Sequence, residues 1–296
     1  MTTAGAFDES QDKQINCCYY VVAFIDILGQ SKIISQWAKL PENDSEKLKF
    51  NHALKNSYTA MVKIDEAVDQ FLNAAQKTNS SLPFTSLLFQ GANTEHKISR
   101  QHISDSFILY ALISENNESC PLTNMYYIII ACAASMLLTL AAKRPVRGGI
   151  VIAPAIEYRE NDIYGPAPMK AYNLESKIAE YPRIIVDQSV SKFLDDYLNC
   201  SPSNPYEEFQ QSLAKITKSF LCRDADGKLI IDFLGNSMIE LSKGTNQSMQ
   251  TIVKDIREFI AQQLKKHTHD NNQKLIKRYN LLDKYVSSRS RNLELI

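Results

Sequence analysis

The sequence predicts an α+β fold in which one mainly antiparallel sheet is covered by helices. Segments rich in β-branched and aromatic residues, such as Cys18 to Asp26, are typical of buried strands. They alternate along the chain with amphipathic segments of helical period, the longest from about Ser45 to Gln76. Two strand-like segments, 220–222 and 229–234, flank an Asp-Gly turn, which favours a hairpin. Strands that alternate with helices in this way imply a sheet packed against helices.

The predicted elements run in the order β-α-α-β-β-α-β-α-β, followed by a hairpin and two helices. The other predicted strands are 84–89, 98–112, 146–153 and 183–187. The other predicted helices are 31–38, 122–143, 169–180, closed by the charged run 175–180, and a tail, 246–296, that breaks near 267–272. The 45–76 helix is expected to place its apolar residues on one side: Leu48, Leu54, Met61, Ile64, Val68 and Phe71.

Three regions follow from this order. Residues 1–15 are polar and are expected to be disordered. Residues 16–240 contain every predicted strand and form the main domain, and residues 241–296 form a C-terminal helical extension. With 296 residues, 44% of them hydrophobic, the chain can bury a large core.

The charge and cysteine content exclude several classes of protein. Lys plus Arg number 33 and Asp plus Glu number 33, and this balance argues against a nucleic-acid-binding surface or an acidic-membrane surface. The six cysteines include no CxxC pair, which argues against structural zinc and indicates buried thiols in a reducing cytosol. A small anionic ligand held by a few local groups stays possible.

One segment is long enough to cross a membrane. Met125 to Ala142 is uncharged, and its length suffices for a bilayer. We interpret it as a buried helix because no second such segment occurs, and the N-terminus lacks the features of a signal peptide. We therefore expect a cytoplasmic protein without a membrane partner. The alternative is a helix-rich protein that this segment anchors to a membrane.

Two carboxylates carry the chemistry that the sequence predicts. Asp26 ends the first strand, and Asp105 lies in the second strand region. Carboxylates on neighbouring strands can converge on Mg²⁺ or Mn²⁺, and the backbone carbonyl of Ile27 could add a ligand. Amides at the start of the following helix favour phosphate, and these belong to Gly29, Gln30 and Ser31. Taken alone, an Asp before a turn is more commonly a cap or turn residue.

Four motifs together resemble the class III nucleotidyl cyclases. They are FIDILG (24–29), ISDS (103–106), RGGI (147–150) and DIYGPAPMKAYNLESKIA (162–179). The resemblance covers roughly residues 18–190, and the motifs occur in the family's order. The chain is most similar to a bacterial branch, the pyrimidine cyclases of Pycsar antiphage defence.

This resemblance implies a fold and an activity. The fold is a cyclase-like sandwich with residues 16–240 as the catalytic domain. The activity is conversion of UTP or CTP, with UTP favoured, to the 3′,5′-cyclic monophosphate, with two Mn²⁺ or Mg²⁺ ions in each site. The family works as a homodimer whose active sites form at the subunit interface. Its product is a second messenger for a separate effector protein.

Five positions take roles from the family's motifs. Asp26 and Asp105 match the two metal aspartates, and Ile27 matches the backbone-carbonyl ligand. Gln101 and Asp162 stand where adenylyl cyclases carry the Lys and Asp that read the base. Gln in place of Lys puts ATP in doubt, but an amide is both donor and acceptor, so it does not separate uracil from cytosine.

The chain departs from the family at a second place. The Asn and Arg that steady the transition state in adenylyl cyclases fall at Met169 and Asn173. Another cation must then meet the developing charge, and the candidates are Arg144, Arg147, Lys170 and Lys32. Lys32 also follows the predicted phosphate-binding amides, and Arg147 could instead be a solvated or paired strand residue.

Two further functions stay open at this point. The missing Asn and Arg would suit a cyclase-like module that binds nucleotide, or a protein partner, without turnover. An adenylate cyclase is the other alternative. The two aspartates favour an enzyme, because a fold alone rarely needs a carboxylate at both places.

Overall fold

The computed structural model describes residues 18–29, 40–80, 98–113, 121–246 and 248–290. Within them, eight strands form one mixed sheet that packs against helices, so the predicted α+β class is confirmed. The predicted tail 1–15, helix 31–38 and strand 84–89 lie outside the described residues.

The strands are short except at the centre of the sheet. Their bounds are β1 Cys18–Ile27, β2 Ser99–Ile103, β3 Ser106–Leu112, β4 Val146–Arg159, β5 Asp162–Tyr164, β6 Ile184–Val186, β7 Leu221–Arg223 and β8 Leu229–Ile231. The order across the sheet is β2-β3-β1-β4-β6-β8-β7, and β5 pairs with β4. Every pairing is antiparallel except β4 with β6, which confirms the mainly antiparallel sheet.

Eight α-helices and one π-helical turn complete the described part of the chain. The helices are α1 Asp44–Ser80, α2 Pro121–Ala141, α3 Pro166–Asn173, α4 Gln188–Leu198, α5 Pro205–Lys218, α6 Asn236–Ser242, α7 Met249–His269 and α8 Gln273–Ser290. The π turn, Leu174–Ile178, continues α3. The first four strands and the helices between them give the βαββαβ order with β1 and β3 central, which is the split βαβ arrangement.

The residues of β1 alternate between two cores. Val21, Ala23 and Ile25 belong to the larger core, which contains α2 and the C-terminal helices. Tyr20 and Val22 belong to a smaller core on the other face, where α3 packs. Alternation of this kind follows from the two-residue period of a strand, and it makes β1 a strand buried on both faces.

Helix α2 is the centre of the larger core. It is long and apolar enough to cross a membrane, but 89% of its most apolar stretch is buried inside the protein. This is the environment of a core helix, as we expected for Met125 to Ala142, and it is consistent with a soluble protein. Leu282 and Val286 of α8 belong to the same core, so the C-terminal helices share the core of the main domain.

Three features of the fold differ from the prediction. The segment 98–112 is a hairpin of β2 and β3 with its turn at Ser104 and Asp105, because Ser104 adopts a positive φ of 57° that reverses the chain. In α1, Leu48 and Leu54 are exposed, at 73% and 52%, whereas Val68 and Phe71 are buried in the core. The side chains of Met61 and Ile64 lie outside the described residues. Helix α3 begins at Pro166, three residues before the predicted start at 169, because proline suits the first turn of a helix.

The structure contains three helices that the sequence analysis did not predict, and two of them begin at recognisable capping residues. Asp187 caps α4 by accepting a hydrogen bond from the Ser189 N–H at 2.9 Å. Asn204 caps α5, and Pro205 takes its first position. The third unassigned helix is α6. The β7–β8 hairpin and the break between α7 and α8 are confirmed.

Candidate active site

One row of side chains crosses the sheet where β1 ends. Asp26 of β1 is paired with Ser106 of β3 on one side and with Arg147 of β4 on the other. Directly paired residues on antiparallel strands point to the same face. That face carries the smaller core and α3, so the three side chains lie on the same side of the sheet as α3.

Asp26 is half-buried and has a defined partner. The Ser106 hydroxyl donates a hydrogen bond to Asp26 Oδ1 at 2.7 Å. Burial raises the pKa of Asp26, and the negative charge of Asp105 raises it further, while the Ser106 hydrogen bond and the charge of Arg147 lower it. The net result is a raised pKa, because the loss of solvation is the largest effect. A nearby cation would stabilise the ionised carboxylate.

Asp105 lies in the β2–β3 turn beside the end of β1. The Ile27 N–H donates to the Asp105 carbonyl oxygen at 3.2 Å, which ties the turn to β1. Asp105 is partly exposed, and its charge acts on Asp26. The structure therefore brings Asp26, Ile27 and Asp105 to one end of the sheet, as the sequence predicted, although Asp105 comes from a turn and not from a strand.

Arg147 is held by a carboxylate that sequence reasoning missed. Its Nε and Nη2 atoms bond to Oε1 of Glu175 at 2.6 and 2.5 Å. The Glu175 side chain is only 3% exposed. Burial raises the pKa of Glu175, the Arg147 hydrogen bond and charge lower it, and the charge of Asp26 raises it. Glu175 belongs to the charged run 175–180 that we predicted to close a helix. In the structure its side chain is buried and paired with Arg147 and is not exposed to solvent.

Gly149 allows Glu175 to approach the sheet. A Cβ atom at Gly149 would lie 2.4 Å from the Leu174 Cβ and 2.6 Å from the Ala171 carbonyl oxygen. Neither atom can move without moving α3 or the π turn. A glycine at this position is therefore required for the close contact that places Glu175 beside Arg147.

A second arginine lies near this row. Burial lowers the pKa of Arg278 in α8, the positive charge of Arg147 lowers it further, and Glu180 raises it. Arg147 and Arg278 therefore bring two positive charges near the buried carboxylate of Glu175, which favours a neighbouring anion. The sequence offered no signal for Arg278, which is 131 residues away from Arg147 along the chain.

The two predicted base-reading residues are in contact. Gln101 Nε2 donates to Asp162 Oδ1 at 2.9 Å, and the Ile163 N–H donates to Gln101 Oε1 at 3.3 Å. Gln101 is paired with Ile108, two residues from Ser106, so the contact lies about 7 Å further along the strands on the face of Asp26. The pair joins β2 to β5.

The remaining predicted residues are more scattered. Gly29 adopts a φ of 87° in the turn after β1, a conformation that suits glycine. Lys170 is exposed on α3, and Arg144 is half-buried just before β4. Gln30, Ser31 and Lys32 lie outside the described residues, so the predicted phosphate-binding amides stay a prediction.

The carboxylates suit a hard cation that shares its ligands with a substrate. In the part of the chain that the structure describes, no three Asp, Glu, His or Cys side chains form a metal-binding group. A site of two carboxylates and a carbonyl would leave positions on Mg²⁺ or Mn²⁺ for water and phosphate oxygens. The raised pKa of Asp26 fits this need for a cation.

Large apolar side chains are exposed on elements around the site. Their exposed fractions are 49% for Ile103, 72% for Tyr164, 59% for Met169 and 49% for Tyr172. Ile103 is paired with Ser106, and the Tyr172 ring contacts Phe24 edge-on at 5.3 Å. Large exposed apolar side chains suit a protein–protein contact where they form one continuous patch.

A separate cleft of about 630 Å³ lies between the π turn, β6, the start of α4 and the β7–β8 turn. Lys192, Arg223 and Lys228 line it, but none of the predicted site residues does. The cleft is therefore separate from the predicted carboxylate site. Two of the carboxylates that line the cleft have structural partners, since Asp187 caps α4 and Asp195 pairs with Lys218.

Three residues of the site were missed by the sequence reading. Ser106 directly follows Asp105 in the ISDS motif, so its place near the predicted carboxylates could have been inferred from the sequence. Glu175 and Arg278 were not, since their partners come from distant segments. The chain matches no protein-family model, and no curated protein sequence is significantly similar to it.

Proposed function

We propose that the protein is a nucleotidyl cyclase, a phosphorus–oxygen lyase that converts a pyrimidine nucleoside triphosphate to its 3′,5′-cyclic monophosphate and pyrophosphate. UTP is the favoured substrate and CTP the second. The observation that carries the proposal is the meeting of Asp26 and Asp105 at one end of the sheet, beside Ser106 and Arg147. The motif resemblance points to the same residues.

The reaction needs no nucleophilic side chain. The ribose 3′-oxygen attacks the α-phosphorus, the bond from that phosphorus to the bridging oxygen of the β-phosphate breaks, and the hydroxyl proton passes to solvent. Bound Mn²⁺ or Mg²⁺ would neutralise phosphate charge and acidify the 3′-hydroxyl. Asp26 and Asp105 would hold the two ions with the Ile27 carbonyl. The Ser106 hydroxyl keeps the Asp26 carboxylate in one orientation.

Charge on the phosphates would be met by basic side chains near the row. Among the described candidates, Arg147 lies opposite Asp26, where its charge acts on the site even though its guanidinium is bonded to Glu175. Lys170 is exposed on α3, where it could act on a site that a second subunit completes. Met169 and Asn173 hold no charge, so the family's usual groups cannot act here.

Gln101 and Asp162 would read the base. An amide donor and a carboxylate acceptor suit uracil, which presents O4 as acceptor and N3–H as donor. Cytosine can be satisfied with the amide donating to N3 and the carboxylate accepting from the amino group. The contact between the two side chains supports a shared role, since one ligand can touch both.

We further propose a cytoplasmic homodimer that signals to a separate effector protein in antiphage defence. The exposed apolar residues Ile103, Tyr164, Met169 and Tyr172 lie around the site and suit a contact with a second copy. Such a contact would cover the face that carries Asp26. The effector and the defence role rest on the motif resemblance alone.

The test is incubation of the full chain with Mn²⁺ and each of UTP, CTP, ATP and GTP, followed by mass spectrometry of the products. We expect a cyclic pyrimidine monophosphate and an equal amount of pyrophosphate. Asp26→Asn and Asp105→Asn should yield none, whereas Asp44→Asn, at a carboxylate 97% exposed, should match the wild type.

The alternatives have distinct outcomes in the same assay. Cyclic AMP as the main product would show an adenylate cyclase. Binding of a triphosphate without any cyclic product would favour an inactive cyclase-like module, which the uncharged Met169 and Asn173 would suit. Either result would contradict the proposed pyrimidine cyclase.

A further inference from the structure

Glu175 is a buried carboxylate that the proposed chemistry does not use. It lies on the π turn and binds Arg147 through two nitrogens, and both bonds go to the same oxygen. A buried ion pair of this kind costs solvation energy and adds little stability on average. The position of this ion pair next to Asp26 suggests what Glu175 does.

Without Glu175, Arg147 would have another partner at hand. Asp26 and Arg147 are directly opposite each other on neighbouring antiparallel strands, so their Cα atoms lie about 5 Å apart. An arginine side chain easily spans this distance and bonds a carboxylate with two N–H groups. Such a bond would cover the oxygens of Asp26 that a cation needs.

The charges around Arg147 determine where its guanidinium lies. Arg278 of α8 repels it from the side of the C-terminal helices. Asp26 attracts it from the end of the sheet, and Glu175 attracts it from the π turn. Because Gly149 lets the π turn lie against the strand, Glu175 is close enough to hold the guanidinium.

We infer that Glu175 is a positioning residue that draws Arg147 away from Asp26 and so keeps the Asp26 carboxylate open to a divalent cation. This inference rests on the proposed metal site of Asp26 and Asp105. The π turn fits the role, since π-helical turns occur frequently at functional sites, where the extra residue re-aims a side chain.

The test is Mn²⁺ binding to the full chain without nucleotide, measured by electron paramagnetic resonance of free Mn²⁺. Glu175→Gln keeps the shape of the side chain and releases Arg147, so Mn²⁺ binding should weaken by roughly tenfold or more. The double variant Arg147→Gln with Glu175→Gln removes both charges, and it should bind Mn²⁺ within about threefold of the wild type. A merely structural role of Glu175 would not give this rescue.

Two controls protect the comparison. Glu240→Gln removes a carboxylate that is 65% exposed and should leave Mn²⁺ binding unchanged. Circular dichroism checks that each variant is folded. If Glu175→Gln does not fold, Glu175→Asp serves instead, because it keeps the charge but withdraws it by one methylene. It should bind Mn²⁺ more weakly than the wild type, and adding Arg147→Gln should again restore binding.

The possible failures are distinguishable. If wild-type protein binds no Mn²⁺, or Asp26→Asn binds it equally well, the metal site is wrong and this inference falls with it. If the wild type binds Mn²⁺ through Asp26 but a folded Glu175→Gln binds it equally well, only the role of Glu175 is overturned. Loss of binding in both the single and the double variant also overturns it, because Arg147 would then not be the cause.

Discussion

Replacing Asp26 with asparagine should stabilise the metal-free protein and remove its stabilisation by Mn²⁺. Burial raises the pKa of Asp26, and Asp105 raises it further, so its ionised form is less favourable in the folded chain than in the unfolded chain. Asparagine removes this charge and can still accept the Ser106 hydrogen bond through its amide oxygen. It cannot replace an anionic metal ligand.

The pH dependence has a definite sign. The pKa of Asp26 in the folded chain lies above the ordinary value of 3.8. Below pH 3.8 the carboxyl is protonated in both states and does not destabilise the wild type. The wild type then loses stability as the pH rises through the folded-state pKa of Asp26. The advantage of Asp26→Asn in EDTA should therefore be small near about pH 4 and grow toward about pH 7.

The Mn²⁺ effect has an expected size. A ligand at about a hundred times its Kd stabilises the folded state by about 2.7 kcal/mol. For a chain of this length the melting temperature shifts by about 2 °C per kcal/mol, so Mn²⁺ should raise the wild-type Tm by roughly 5 °C. The Asp26→Asn variant should show almost none of this rise.

Thermal melts followed by circular dichroism, in EDTA and in Mn²⁺, measure both effects. The order of the two proteins should reverse: Asp26→Asn melts higher in EDTA at neutral pH, and the wild type melts higher in Mn²⁺. An asparagine variant that keeps the full Mn²⁺ shift, or that melts lower in EDTA at neutral pH, would refute the reasoning.

Four further predictions concern other parts of the account. Gln101→Lys should raise turnover of ATP relative to UTP by roughly tenfold or more, in the four-triphosphate assay, because a charged donor replaces the amide. A mixture of Asp26→Ala and Asp162→Ala chains, each inactive alone, should recover about a quarter of wild-type activity if each site combines both subunits, since half the dimers have one intact site; no recovery would contradict the shared site. Arg183→Met should lower the free energy of unfolding by about 3 kcal/mol in urea melts, because it removes the buried guanidinium that bonds Asp224, a carboxylate only 10% exposed. Gly149→Ala should weaken Mn²⁺ binding and lower the Tm, while Gly227→Ala, with open space for its Cβ but a φ of 80°, should lower the Tm alone.

The sequence predicted those elements whose signal is local. The strand Cys18–Ile27 and the helix Pro121–Ala141 are mostly apolar, so their burial in the core could be predicted from the sequence. The Asp-Gly turn of the β7–β8 hairpin is also a local signal. We predicted that Asp26 and Asp105 lie close together because each belongs to a short motif and the motifs occur in the order of the family that they resemble.

What the sequence could not predict depends on distant partners. The hairpin turn at Ser104 and Asp105 interrupts an alternating pattern without a glycine, so the pattern appeared to continue. Leu48 and Leu54 have helical spacing, yet no described element covers them, since spacing does not say how much of a helix is packed. Glu175 looks like a solvated residue in a charged run until Arg147, 28 residues earlier, is brought beside it.

The most direct test of the account is the position of Mn²⁺ in crystals of the protein grown with a non-cyclisable pyrimidine triphosphate analogue. Anomalous diffraction locates the ions independently of the nucleotide. We predict two ions, each about 2.0–2.3 Å from carboxylate oxygens of Asp26 and Asp105, with the α-phosphate bound to them and the base at Gln101 and Asp162. Ions or nucleotide bound elsewhere, such as in the cleft lined by Lys192, with Asp26 and Asp105 empty, would contradict the proposed site and the activity assigned to it.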